Sequence, residues 1–368
     1  MSAGSRIVGT VNATLIVILL YLLLWPVPID PVAWEAPVDR GLVDPFGPDD
    51  RLRRARSVTL GDHEGPEDIA GGPDGHIYTG TSDGRIIRFT SEGPGVEVFA
   101  DTGGRPLGLE FDVDGNLYVA NAYIGLQMIT PGGEVTLLTN AYRGEPINYA
   151  DDLAVATDGT VYFSDASSKF GARRIGGSYE ASLLDLMEHG GHGSIFRYDP
   201  SSRETTVVLG GLNFANGVAI SEDQQYLVIN ETGSYRVLKH WLRGPAAGTT
   251  EILIDNLPGF PDNVNNGLHG KFWIGLVAPR SRLLDALSGS PWLRKAVQRL
   301  PAMVRPQAIP SSHVIAINGA GQVLMNLQDP SANIASLTGV YESSDALWLS
   351  TLFGNRAGRL DKQNLTPL

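Results

Sequence analysis

Six times along this chain a short polar or acidic opening leads into an apolar run, and ten or eleven residues later an aromatic stands inside a strand-like segment. The aromatics are Tyr78, Tyr118, Tyr162, Tyr226, Trp273 and Trp348, and the residues that open their runs are Glu67, Leu107, Asp151, Asn216, Asp262 and Thr338. Asp74-Gly75, Asp114-Gly115 and Asp158-Gly159 precede three of the aromatic strands, and Asp83-Gly84 precedes a further strand. Asp-Gly between apolar segments marks a hairpin, because glycine takes the positive φ that the tight turn requires. Successive aromatics lie 40, 44, 64, 47 and 75 residues apart, so the third and fifth units carry extra residues. A period of about 40–50 residues with several short strands in each repeat reads as propeller blades. The expected fold is all-β: a six-bladed β-propeller over residues 57–368, with an N-terminal transmembrane helix and a helical insertion in the fifth blade.

The innermost strand of a propeller blade runs along the central channel, so the six opening residues are expected to meet around one mouth of it. Carboxylates and amides dominate at these positions, and Asp68, Asp152 and Asn263 stand next to three of them. Glu67, Asp151, Asn216, Asp262 and Asn263 offer only oxygen donors, which suit a hard cation. Ca2+ accepts about six to eight oxygens in flexible geometry, whereas Mg2+ prefers a tight octahedron. Convergent carboxylates without a cation would repel one another and raise at least one pKa. The alternative is that these Asp and Asn residues cap turns.

Residues 7–25 carry no charge and are almost wholly apolar, which is about the length needed to cross a hydrocarbon core. The Pro26-Val27-Pro28 that follows offers no small-residue cleavage site, so an uncleaved anchor is expected over residues 1–25. Arg6 before the span and Asp30, Glu35 and Asp39 after it place the propeller on the extracytoplasmic side of a single-pass membrane protein. Residues 26–56, whose first part is rich in proline and acid, read as a tether. The formal net charge of −12 argues against nucleic acid as a partner, and the absence of cysteine excludes disulfides and thiolate chemistry. The segment 280–306 is the most basic of the chain, with leucines at helical spacing and Ser290-Pro291 as a helix start. It is read either as an amphipathic element on the membrane surface or as a lid packed on the propeller.

Phe214-Ala215-Asn216-Gly217, Pro261-Asp262-Asn263, the run YFSDASSKF at 162–170, and Glu231-Thr232 through to Trp241-Leu242 resemble the strictosidine-synthase-like family. That family belongs with the paraoxonases and gluconolactonases, six-bladed propellers with Ca2+ in the channel. The resemblance implies catalytic calcium ligands at Glu67, Asp151, Asn216, Asp262 and Asn263, with a second, structural site at Asp68 and Asp152. Two positions depart from the pattern. Leu107 stands where lactonases of the paraoxonase type place a catalytic His, and Thr338-Gly339 stands where strictosidine synthase has its catalytic Glu, with Glu342 the nearest acid.

The function expected from this combination is calcium-dependent hydrolysis of a small-molecule ester or lactone. Asp262 would act as base or nucleophile, and Glu67 and Asn216 would hold the ion. A non-enzymatic propeller stabilised by calcium is the second reading, and a carbon–nitrogen-forming synthase the third. Membrane contact is expected through residues 7–25, with 280–305 as a further contact.

Overall fold

The computed structural model describes residues 3–90 and 95–365. Six four-stranded antiparallel sheets make up the propeller, and each repeat supplies one blade. The first strands are Ile69–Gly71, Pro106–Phe111, Ala150–Val155, Ala215–Ile220, Gly259–Asn266 and Leu337–Glu342. All six repeat aromatics fall in the second strands: Ile77–Gly80, Leu117–Asn121, Val161–Asp165, Tyr226–Glu231, Phe272–Pro279 and Ala346–Thr351. The ring closes by strand exchange between the chain ends. Arg56–Thr59 pairs antiparallel with Arg356–Asp361 and completes the sixth sheet from the N-terminal side. This pairing ties the two ends of the ring together, while the first strand of each blade remains the end strand of its sheet along the channel.

The aromatics recur because each one fills an interface between blades. Tyr78 packs with Leu109, Leu117 and Val119 of the second blade, and Tyr118 with Phe163 and Leu153 of the third. Tyr162 meets Val218 and Ile229 of the fourth blade. Trp273 meets Leu337 and Val340 of the sixth, and Trp348 closes the circle against Ile69, Ile77 and Ile87 of the first. Tyr226 is partly buried and packs on the cluster holding Phe272 and Ile274 of the fifth blade. A large flat side chain at this point covers apolar area on both sheets at once.

The first strands do not run regularly. In blades two to six the pairing with the second strand slips between Pro106 and Leu109, Ala150 and Leu153, Ala215 and Val218, Pro261 and Val264, and Leu337 and Val340. In the first blade the ladder begins only at Ile69. The residues skipped are 107–108, 151–152, 216–217, 262–263 and 338–339, with 67–68 just outside the ladder. A bulge frees residues from pairing and re-aims their side chains, and here it does so at the same level of every blade. The second residue of each pair alternates around the ring: Asp68, Gly108, Asp152, Gly217, Asn263, Gly339. A Cβ on Gly108 would lie 2.6 Å from the Cα and Oδ1 of Asp152, and one on Gly217 would lie 2.4 Å from the nitrogen of Val264. Glycine on alternate blades therefore admits the polar residue of its neighbour.

The extra residues of the third unit form α2 (Ala172–Ile175) and α3 (Ser178–Glu188), after the N-terminal helix α1 (Ala3–Leu24). Those of the fifth form α4 (Arg282–Ala286) and α5 (Pro291–Gln298), with Ser290 as the N-cap and Pro291 in the first turn of α5. Side chains of α1 are described without a break from Thr10 to Leu24, about 22 Å of helix at about 1.5 Å per residue. Among the described residues no helix is long and apolar enough to cross a membrane, so the crossing expected over residues 7–25 is not established by the structure. Residues 26–50, expected as part of a tether, lie along the channel face. Val32 donates to the carbonyl of Glu188 at 2.9 Å and Trp34 to that of Ser288 at 3.1 Å, so this segment is a strap held by backbone hydrogen bonds.

The alternating glycines make a sharp expectation. Gly217→Ala should destabilise the propeller by about 2–3 kcal/mol, since backbone lies where the methyl must go. Gly289→Ala, with no atom within 4 Å of its Cβ, should change stability by less than about 0.5 kcal/mol. Urea denaturation of the two variants checks this, and equal effects would mean that the blades part easily at the ring.

Candidate metal centre

The bulges bring the sequence-predicted residues together. Glu67, Asp151, Asn216, Asp262 and Asn263 are all buried, none more than 6 % exposed. Glu67, Asp151, Asn216 and Asp262 also line the floor of a large cavity at this mouth of the channel. The amide groups are fixed through their nitrogens. Asn216 Nδ2 donates to Asp262 Oδ1 at 2.5 Å, and Asn263 Nδ2 donates to the carbonyl of Glu67 at 3.0 Å. Each nitrogen being engaged, the two amide oxygens are left over.

Four oxygens of this ring have no hydrogen-bond partner: Glu67 Oε2, Asp151 Oδ2, Asn216 Oδ1 and Asn263 Oδ1. Buried polar atoms are nearly always paired, so four orphans on one ring point to a missing positive charge. All are hard oxygen donors of the kind Ca2+ selects. Among the described residues no three His, Cys, Asp or Glu side chains stand close enough to hold an ion by themselves. An ion at this place therefore needs the amide oxygens as well as the carboxylates, and the residues present fit that requirement.

The electrostatics agree. Burial, followed by the charges of Asp262 and Asp151, pushes the Glu67 carboxyl well above the usual range. Burial and then Asp262 do the same to Asp151. Burial pushes Asp262 up to about 7, against the opposing hydrogen bond from Asn216. One cation offsets this repulsion in the protein itself. Arg105, 5 % exposed, donates from Nη1 to the carbonyl of Gly65 at 2.8 Å, and its charge favours the ionised forms of Glu67 and Asp151.

Asp68 and Asp152, implied as a second site, already have their oxygens engaged. Asp68 Oδ2 accepts from the nitrogen of Leu109 at 2.9 Å and Oδ1 from Asn265 Nδ2 at 3.0 Å. Asp152 Oδ2 accepts from the nitrogen of Val218 at 3.0 Å, and Oδ1 from that of Leu153 at 2.8 Å. These carboxylates join neighbouring blades where the bulges have opened the ladder. The other ring positions are occupied differently. Leu107 is 2 % exposed in an apolar cluster with Tyr149, Phe214 and Phe260. Thr338 Oγ1 donates to the carbonyl of Glu67 at 2.5 Å. Glu342 is committed elsewhere, held at about 2 against its burial by hydrogen bonds from Lys271, Lys362 and Trp273.

Asn230, Arg105 and α3 lie outside the six repeat positions that mark the ring in the sequence. Asn230 is fully buried, donates to the carbonyl of Asp262 at 2.6 Å, and carries a fifth orphan oxygen. It sits in a second strand, outside the repeat position that marks the ring, so periodicity could not find it. The helix α3 did have a signal, in Ala181, Leu184, Asp185 and Glu188, which are buried at helical spacing. His189 and His192 do not converge on a metal. His189 stacks on Trp34 at 4.0 Å, and burial pushes its imidazole down to about 3, while His192 Nε2 meets Glu188 Oε1 at 2.6 Å.

The fold and site define a class: a six-bladed propeller with a ring of oxygen donors at the floor of a cavity over its channel. Family models for strictosidine synthase and for the N-terminal part of strictosidine-synthase-like proteins match residues 151–245 and 44–89. Strictosidine synthase-like 10 from Arabidopsis thaliana is 34% identical over 338 residues, covering 83% of this chain and 87% of that one. The human adipocyte plasma membrane-associated protein is 31% identical over 359 residues, covering 90% of this chain and 83% of its own. The chain belongs to the strictosidine-synthase-like family. Among solved structures, a gluconolactonase from Xanthomonas campestris superposes with a TM-score of 0.60 at 19% identity, covering 83% of this chain and 89% of that one. The calcium-binding protein regucalcin from Agrobacterium tumefaciens gives 0.57 at 14% identity, with coverages of 83% and 93%. At these identities the likeness is one of fold.

The raised carboxyl pKa values carry a pH dependence. A carboxyl whose folded pKa lies above its unfolded value, about 4, favours the folded state while protonated, and that stability is lost as pH rises through the folded pKa. The chelated protein should therefore lose thermal stability as pH rises from about 4 through about 7 and beyond, the window set by Asp262 and its more strongly raised neighbours. Calcium bound at the ring would remove the repulsion, so the rise in Tm on adding it should be larger at pH 8 than at pH 5.5. Melting curves with chelator or excess calcium at both pH values check this, and an equal increment would count against an ion at the ring.

Proposed function

We propose that this protein is a membrane-anchored, calcium-dependent hydrolase of esters or lactones. The observation that carries the reading is the ring of orphaned, buried oxygens on Glu67, Asp151, Asn216 and Asn263 around Asp262. The names of two structural neighbours, a gluconolactonase and a calcium-binding protein, support the same chemistry. When bound at the ring, calcium supplies Lewis-acid polarisation of a substrate carbonyl.

The chain's own residues do the rest. Glu67 and Asn216 hold oxygens toward the channel axis, and Asn263 is braced on the Glu67 carbonyl. Asp262 would take a proton from water as the water oxygen bonds to the carbonyl carbon and the C–O bond to the leaving alkoxide or phenoxide breaks; as nucleophile it would instead form an anhydride with loss of that oxyanion, which water then hydrolyses to the free acid. With a cation at the ring the Asp262 carboxyl is held ionised, the form that accepts a proton. Leu107 and Phe214 keep water from the apolar side of the site. Without an imidazole to protonate the leaving group, the site suits activated esters, such as phenyl esters, better than aliphatic lactones. Leu107 also favours the second reading, a calcium-stabilised binding propeller without turnover.

The anchor is α1. Leu15, Ile16, Val17, Ile18, Leu19 and Leu20 are each between 48 % and 64 % exposed, so apolar side chains face outward all round and the propeller does not bury them. A helix apolar on every side requires an apolar surrounding, and the name of the human relative mentions the plasma membrane. The propeller would lie on the extracytoplasmic side.

Asp262→Asn keeps an oxygen for the ion, so it should retain the calcium-dependent rise in Tm while losing about 10²–10⁴-fold in hydrolysis of phenyl acetate. Full activity in that variant would make Asp262 a ligand only. Failure of wild type, with calcium restored, to turn over any aryl ester, lactone or phosphotriester would favour the binding reading. The full chain should stay with membranes through a carbonate wash, and its recovery in the supernatant would remove the anchor.

A further inference from the structure

The cavity above the ring has a wall that the propeller does not supply. Its volume is about 1670 Å3, larger than the roughly 300–1,000 Å3 of an ordinary small-molecule site. The oxygen ring lies on its floor, while Trp25, Pro26, Val27 and Pro28, where α1 runs into the strap, line another side, with Leu42 and Pro48 further along. Val27 packs on the apolar cluster that includes Leu107, Tyr149 and Phe214. Ile29 lies within that cluster at 2 % exposure. The strap thus reaches the same apolar surface that borders the candidate metal ligands.

Arginines of the fifth-blade insertion hold the strap in place. Arg294 is fully buried and spends its guanidinium on backbone carbonyls. Nη1 donates to Met187 at 3.0 Å and to Glu188 at 3.3 Å, at the end of α3; Nη2 donates to Ser288 at 3.0 Å and to Val32 of the strap. Arg280 Nη2 donates to the carbonyl of Pro37 at 2.5 Å. Arg299 donates to those of Trp25 at 2.5 Å and Leu22 at 2.8 Å. The last carbonyls of a helix carry partial negative charge, so Arg294 fastens α3, α5 and the strap at one point. The planar fork of arginine suits this, because it presents several donors in fixed directions.

We propose that the strap, residues 26–50, is a wall of the substrate cavity, that Arg294 is the residue positioning it, and that this wall selects substrates with an extended apolar chain. The chemical class is then an ester or lactone whose reactive carbonyl reaches the ring while its chain lies against Val27 and the cluster around Phe214. This rests on the hydrolase reading for the carbonyl, and on the cavity alone for the chain.

The test uses the full-length protein with calcium, p-nitrophenyl acetate and p-nitrophenyl decanoate, and N-phenyl-1-naphthylamine as a neutral apolar probe whose binding needs no turnover. Val27→Trp narrows the wall and should raise KM for the decanoate by about tenfold while leaving the acetate within about twofold. It should weaken the probe by a similar factor, and Val27→Ala should shift both readouts the opposite way. Arg294→Met should raise KM for the long ester more than it lowers kcat for the short one, and should open residues 26–50 to protease. Should Arg294→Met not fold, the paired Val27 variants still decide. If probe affinity follows the Val27 series while no ester is hydrolysed, the wall stands and the hydrolase reading fails. If both esters are hydrolysed and neither the chain-length preference nor the probe affinity moves in any variant, the wall is overturned.

Discussion

Everything at the channel mouth follows from the interruption of the innermost ladders. A regular first strand would point alternate side chains into the interfaces between blades and leave the channel lined by backbone. The slip in pairing in blades two to six, and the late start of the ladder in the first, frees two residues per blade at one level. The first of each pair lines the cavity in five blades, and in the sixth Thr338 donates to the carbonyl of Glu67. On alternate blades the second, Asp68, Asp152 or Asn263, reaches another blade, and the second residue of the blades between is a glycine that leaves room for it. Opened backbone groups need partners, and side chains provide them: Asp68 accepts from Leu109, Asp152 from Val218, and Glu110 from Val155 at 2.9 Å. One geometric device therefore both creates the site and joins the blades around it.

The same device concentrates negative charge on side chains that are almost wholly buried. Several kcal/mol oppose burying each ionised carboxylate, and three of them converge here, with the charge of Arg105 easing the ionisation of Glu67 and Asp151. A protein can keep such a group protonated, pair it, or bind a cation. The hydrogen-bond pattern separates these uses within a few residues. Asp68 and Asp152 are paired with N–H donors and act as joints. Glu67 and Asp151 keep an oxygen unpaired, and their amide neighbours are turned so that oxygen rather than nitrogen is spare. That orientation leaves spare oxygens together, which is what the proposed calcium site requires.

Above the ring, the basic character of the fifth-blade insertion has a structural use that composition conceals. A run of arginines beside a membrane helix reads as a surface for lipid headgroups. Yet Arg280, Arg294 and Arg299 are at most 9 % exposed and donate to backbone carbonyls of the strap, α3 and the end of α1. Their charges are directed inward. The lid alternative for 280–306 is the one this placement favours, and it makes the N-terminal segment part of the cavity's surroundings instead of a free linker.

The repeat of aromatics at fixed distance from a polar opening was legible without coordinates because each blade solves the same packing problem. A wide side chain must fill the gap to the next sheet, and Asp-Gly must turn the chain back. Glu67, Asp151, Asn216 and Asp262 were legible as a set for the same reason, since equal positions in equal blades meet at the axis. What the amino-acid order could not express is orientation. It could not say that Asn216 and Asn263 turn their oxygens free, that Asp68 and Asp152 are engaged as joints, or that Asn230 reaches the site from a second strand, because these depend on contacts between blades far apart in sequence. The strap is the clearest case. Prolines and acids without periodicity carry no local preference that fixes a path, and only carbonyl-seeking arginines some 250 residues away, Arg294 facing Val32 being one at 262, decide that residues 26–50 form a wall.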